Sequence, residues 1–170
     1  MSASSTPIDR AVESFVADNY DRLLRLAWLI CRNGPDAADA VQRGLEQAWR
    51  QRATLREETR LRPWVDRVVV REAIRMGRRP LLRRVLSLDS QVGWLEPGGG
   101  PDPGLREWSG LRAAFGRLPA DQRAVIALHL HAGYSVAETA SIVDAPIETV
   151  RTRIRRAKDR LRSELGEEQR

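Results

Sequence analysis

The sequence holds one cysteine, Cys31, two histidines, His129 and His131, and a single lysine, Lys158, in 170 residues. A lone cysteine excludes an intrachain disulfide framework and any multi-cysteine metal cluster. The two histidines stand two positions apart on a helical segment and so face different sides, whereas a helical metal pair uses a four-residue step. Long hydrophobic runs are missing too. The most apolar window, Leu23 to Cys31, is broken by Arg25 and is too short to span a bilayer. The start of the chain, Met1 to Pro7, is polar and Ser-rich, with no apolar signal core. These features predict a reduced, cytoplasmic setting without membrane insertion. Clustered catalytic carboxylates and a Ser-His-Asp arrangement are absent. The glycine run Gly98 to Gly100 has no strand before it and no Lys-Ser/Thr after it, so it is no phosphate loop. The sequence predicts neither an enzyme nor a bound cofactor or metal.

What is present is arginine. Basic residues number 29 against 23 acidic ones, a net charge of +6, and all but Lys158 are arginine. That balance points to a polyanionic partner, of which nucleic acid is the commonest. With 42% hydrophobic and 31% charged residues, the composition is that of a globular protein.

Ser87 to Gly104 carries three consecutive glycines with Pro97, Pro101 and Pro103, which reads as a mobile linker. It divides the chain into an N-terminal domain, 8–84, a linker, 85–106, and a C-terminal domain, 107–166. Both flanks have helical periodicity and no alternating strand pattern, so the fold class is all-α with two small domains. In the first half one amphipathic helix runs to about Cys31 and is ended by Asn33, Gly34 and Pro35. A second opens at Asp36 with Ala37, Ala40, Val41, Leu45, Ala48 and Trp49 on its apolar face. A third starts near Pro63, buries Trp64, Val65, Val68, Val69, Ala73 and Ile74, and ends among arginines. Trp49 and Trp64 are expected in the core, and Cys31 is expected as a small buried hydrophobe.

In the second half, a helix around Trp108 to Arg117 precedes one carrying Val125, Ile126, Leu128 and Leu130, closed by Gly133. Ser135 and Glu138 have the spacing of a capping box ahead of a short helix that ends near Val143. After Asp144-Ala145-Pro146 a long helix follows, with the apolar stripe Ile147, Val150, Ile154, Ala157, Leu161 and Leu165. Short helix, tight turn and long basic helix outline a helix-turn-helix. Opposite and beside the stripe, Glu148, Arg151, Thr152, Arg155 and Arg156 form an outward ridge near the helix start. Arginine grips guanine bidentately or bridges phosphates, a threonine methyl touches thymine, and the helix N-terminus attracts phosphate.

Leu118-Pro119-Ala-Asp-Gln122-Arg123, Gly133-Tyr134-Ser135-Val-Ala-Glu138 and Pro146-Ile-Glu-Thr149-Val150-Arg151-Thr-Arg153-Ile154 resemble region 4 of the extracytoplasmic-function (ECF) sigma factors of the bacterial sigma-70 family. Tyr20 to Ala27, Asp36 to Gln42, Gln47-Ala48-Trp49-Arg50, Arg62-Pro63-Trp64-Val65 and Arg78-Arg79 resemble region 2 of the same family. The resemblance implies an alternative sigma factor that binds core RNA polymerase, reads a −35 element and melts a −10 element of promoter DNA. It assigns Ser135, Glu148, Thr149, Arg151, Thr152, Arg153, Arg155 and Arg156 to −35. To −10 it assigns Arg56, Arg60, Trp64, Arg67, Arg71, Arg75, Arg78 and Arg79. Asp39, Gln42 and Arg43 fall on the face that meets the polymerase β′ coiled coil, and the C-terminal domain would also dock on the β flap. An anti-sigma factor is a further partner that the resemblance implies. Arg43 stands where the family has an acid, Gly44-Leu45 where it has a small and an aromatic residue, and Arg71 and Arg75 where it has Asn and Asp. A stand-alone helix-turn-helix regulator would share the C-terminal half, but the pattern of Asp39, Gln42, Trp49 and Trp64 argues against it.

Overall fold

A computed structural model describes residues 6–55, 60–78 and 109–167, and among these every regular element is helical. The proposed linker, 85–106, lies outside the described residues, as do Arg56, Arg79, Trp94 and Trp108. Helix α1 spans Pro7–Cys31 and opens on a capping box, in which Thr6 Oγ1 accepts from the Asp9 N–H and the Asp9 carboxylate accepts from the Thr6 N–H. Helix α2 spans Gly34–Gln51, starting earlier than the expected Asp36. Asn33 is its N-cap: the Asn33 Oδ1 accepts from the Asp36 N–H at 2.9 Å, and Pro35 sits in the first turn, where its missing N–H leaves nothing unpaired. The Asn-Gly-Pro run that stops α1 therefore also starts α2. A single 3₁₀ turn, Arg52–Thr54, follows. Helix α3 spans Leu61–Gly77.

The second half contributes α4, Ser109–Arg117, and α5, Ala120–Ile126, which runs on through a wider π-type segment, Ala127–His131. Gly133, at a φ of 79°, closes it as the sequence predicts. Helix α6 is Val136–Val143 and α7 is Ile147–Glu167. None of the helices among the described residues is long and apolar enough to cross a membrane.

The larger hydrophobic core joins α1, α2 and α3 through Leu23, Leu26, Ile30, Val41, Val65 and Val69. It also takes in Ala124, Ala127, Leu128, Tyr134 and Ile142 from the second half. A smaller core beneath α7 holds Leu118, Val125, Ile126, Ala140, Val150, Ile154 and Ala157. Helix α5 thus buries one side in each, and the two halves are packed together through the larger core. Cys31 is buried in it, as expected.

Three apolar positions depart from the periodicity. Trp49 is 38% exposed rather than in the core. The α2 face that meets α3 is built of small residues, Ala37, Ala40, Val41, Gly44 and Ala48, and the helices lie too close there to admit an indole. Trp49 instead packs under the Arg52 guanidinium, 4.2 Å from the ring centroid. Arg52 also bonds the Asp9 carboxylate, and this bond, with those from Thr6, lowers the Asp9 pKa to about 2. Leu130 is 57% exposed and Ile147 38%. Each stands at a helix end, Leu130 in the widened last turn of α5 and Ile147 at the first position of α7, beyond the reach of the core.

The close approach of α2 and α3 gives Gly44 a specific role. A Cβ there would lie 2.8 Å from Val69 Cα and 2.8 Å from Val69 Cγ2. Because one of those atoms is backbone, the helices would have to separate. The Gly44→Ala variant should therefore lose about 1–3 kcal/mol of stability in urea denaturation, despite the better helix propensity of alanine.

Candidate nucleic-acid interface

Helix α7 emerges from a short, capped predecessor. The Ser135 Oγ accepts from the Glu138 N–H at 3.2 Å, and the Ser135 N–H donates to Glu138 Oε2 at 2.8 Å. The Ser135 hydroxyl and then the Ser135 backbone N–H, both beside the carboxylate, hold the Glu138 carboxyl below its ordinary pKa. The turn that follows is made by Asp144 in the left-handed conformation, φ 55°. Burial of Val150, Ile154 and Ala157 then fixes the rotation of α7 and leaves Glu148, Arg151, Arg155 and Arg156 exposed, with Thr152 partly so. Arg151 and Glu148 form an ion pair of 3.1 Å along this ridge. Arg153 does not share it. Its side chain is half-buried and turned toward α5, with Nη1 3.7 Å from Asp121 Oδ1. Thr149 is likewise half-buried. Ser135 is exposed, with its Oγ accepting the Glu138 N–H of the cap.

Helix α3 carries the second basic face. Arg60, Arg71, Arg75 and Arg78 are exposed, and Trp64 and Arg67 are half-buried, Trp64 packing against the larger core. The steps of three and four residues between them place these side chains along one side of the helix. Arg67 and Arg71 both reach Asp144, at 3.5 and 2.5 Å. Arg78 grips Asp121 through two bonds of 3.1 and 2.6 Å. Arg75 binds Glu72 at 2.5 Å within its own helix.

A third surface lies on α2. Asp39, Gln42 and Arg43 are all exposed there and line a groove toward α3 together with Glu46, Glu72 and Arg75. Gln42 Nε2 donates to Glu46 Oε1 at 3.3 Å, and Arg50 pairs with the same carboxylate. Acid and base alternate along this groove, so Arg43 lies among charges of both signs.

Two buried polar centres position these surfaces, and neither was assigned a role from the sequence. Asp66, fully buried in α3, accepts two bonds from Arg22 of α1, at 2.9 and 2.7 Å. It accepts a third from the Tyr134 hydroxyl at 2.7 Å, just before the helix-turn-helix. Burial and the neighbouring Asp66 carboxylate push the Tyr134 phenol upward, so it stays a donor. Arg123 is 2% exposed. Its Nε donates to the Ile30 carbonyl at 2.7 Å in the last turn of α1, and its Nη1 donates to the carbonyls of Gly116, in the last turn of α4, and Leu118, just beyond it. Helix C-termini carry partial negative charge, and two of them converge on this guanidinium. A carboxylate inside the valine-rich stretch of α3 was the only hint of Asp66, because its partners are remote in sequence.

Residues 15–84 match the Sigma-70 region 2 family, and residues 110–161 match Sigma-70, region 4. The chain is similar to the ECF RNA polymerase sigma factor SigM of Mycobacterium tuberculosis, at 29% identity over 92% of this chain and 78% of the relative. It is also similar to the ECF RNA polymerase sigma-E factor of Escherichia coli, at 32% identity over 79% of this chain and 78% of the relative. In fold it resembles the sigma factor RpoE crystallised with the anti-sigma factor NepR from Bartonella quintana. That likeness has a TM-score of 0.63 at 23% identity, covering 91% of this chain and 98% of the other.

Proposed function

The chain belongs to the sigma-70 family as an ECF-type sigma factor, and on that premise we propose how its surfaces divide the work of an alternative sigma factor. Helix α7 enters the major groove at −35. The observation that carries this is the exposed ridge Glu148, Arg151, Thr152, Arg155 and Arg156 at the start of a helix led in by a capped α6. Arg153 serves the packing of α7 on α5 rather than a base contact. The α3 face, Arg60, Trp64, Arg67, Arg71, Arg75 and Arg78, takes the −10 strand, where arginines meet phosphates and Trp64 offers a ring for stacking. Asp39, Gln42 and Arg43 form the docking face for the β′ coiled coil, and the C-terminal half docks on the β flap. An anti-sigma factor is a partner of the same class as the one bound to the Bartonella quintana relative.

Run-off transcription with purified core polymerase on genomic fragments tests the reading as a whole. Transcription only by the chain plus core supports it, and failure of the two to co-purify overturns it. Within −35 recognition, Arg155→Ala should cost about 1–3 kcal/mol on the cognate sequence and flatten preference among variants. Arg162, 77% exposed and near Asp159 further along the helix, should act through phosphate alone. Its alanine variant should weaken all sequences evenly and lower the salt slope by up to about one unit. Binding across a −35 library at fixed salt distinguishes the two, and the reverse pattern would mean that α7 docks in another orientation.

A further inference from the structure

Both nucleic-acid faces meet at Asp144. This residue makes the turn that leads into α7, so it sits at the end of the helix that would approach the −35 phosphates. Its carboxylate also bridges Arg67 and Arg71 of the α3 face. Asp121 of α5 does the same for Arg78, with Arg153 of α7 also within 3.7 Å of its Oδ1. Three arginines of the α3 stripe are therefore held by acids from the other half, and the turn before α7 is pinned against α3.

We propose that this packing is an autoinhibitory clasp, in which Asp144 and Asp121 occupy the −10 face of α3 until a nucleic-acid strand displaces them. The proposal rests on the reading of α3 as the −10 face. The division of labour within the clasp follows from burial. Tyr134, Leu128 and Ile142, in the common core, hold the halves together without regard to salt. Asp144 is exposed by 67% and Asp121, half-buried, faces an Arg78 that is itself exposed, so these ion pairs lie at the surface, weak and screened by salt, which suits contacts that must be exchanged for phosphates. Phosphates along a DNA strand offer the same arginines several anionic partners at once and release counterions as they bind.

The test uses the full chain with Asp144→Asn and Asp121→Asn combined. Asparagine tolerates the left-handed conformation of residue 144, so the turn is kept while the charge is lost. The charge-matched control is Asp18→Asn with Asp21→Asn, two exposed positions of α1. Binding of a fluorescent single-stranded oligodeoxynucleotide to the free protein should tighten about two- to tenfold in the clasp variant beyond the control. The advantage of the clasp variant over the control should shrink as salt screens the ion pairs that were removed. Equal tightening in the control, or unchanged binding in the clasp variant, overturns the clasp. Arg67→Ala with Arg71→Ala separates the two readings. If it weakens oligonucleotide binding while the acid variants do nothing, α3 remains the DNA face and only the clasp fails. If it too leaves binding unchanged, the −10 assignment fails and takes the clasp with it.

Discussion

Replacing Asp66 by alanine should destabilise the protein by about 3–5 kcal/mol, the range for removing one member of a buried ion pair. The carboxylate is fully buried, and its loss strands two donors: Arg22, whose side chain is 23% exposed, and the Tyr134 hydroxyl. Burial opposes the charge on Arg22 and Asp66 outweighs it, leaving the guanidinium more firmly protonated than usual, so Arg22 cannot escape the penalty by losing its proton. Asp66→Asn should recover only part of the loss, since its amide N–H₂ would face the donors of Arg22. Tyr134→Phe isolates the contact between the halves: Asp66 keeps both bonds from Arg22, and the cost should fall to about 1–2 kcal/mol. Urea denaturation of the three variants checks the order. A Tyr134→Phe loss as large as that of Asp66→Ala would show that the hydroxyl, not the ion pair, holds this centre.

The second large effect is expected at Arg123. Arg123→Met keeps most of the stem and removes the guanidinium, leaving the Ile30, Gly116 and Leu118 carbonyls without its N–H groups. Hydrogen bonds from a charged donor contribute about 1.5–3 kcal/mol each, and partial relaxation toward water should bring the net loss to about 3–4 kcal/mol. Arg123→Lys should restore little, because an ammonium cannot reproduce a planar fork directed at carbonyls of α1 and of the C-terminal end of α4. Hydrogen exchange gives the sharper check. Protection should fall selectively at the end of α1 and in the connection from α4 to α5, the two places the guanidinium joins. Loss confined to α5 would mean that Arg123 supports its own helix and does not couple the halves.

Most of the local structure was legible in the sequence because its causes are local. Ser135 and Glu138 specify a helix start by reaching each other's backbone three residues away, and Gly133 ends the preceding helix through its own φ. The stripe of Val150, Ile154 and Ala157 fixes which side of α7 is buried, and so which arginines are presented. Asn33 shows the limit of such signals, since a run that reads as a stop for one helix is also the cap of the next.

The sequence by itself determined the all-helical class, the helix-turn-helix, the outward ridge of α7 and the resemblance to two sigma regions, each resting on neighbours within about two helical turns. Only the tertiary structure decided that Trp49 lies outside, because the separation of α2 from α3 depends on Gly44 meeting Val69. It alone turned Arg153 toward Asp121, joined Asp66 to Arg22 and Tyr134, and set Asp144 over Arg67 and Arg71. The physical reason is the same in each case. A charged side chain carries its own periodicity in the sequence but not that of its partner. Asp144 and Arg67 are 77 positions apart, and only the packing of one half on the other brings them within reach.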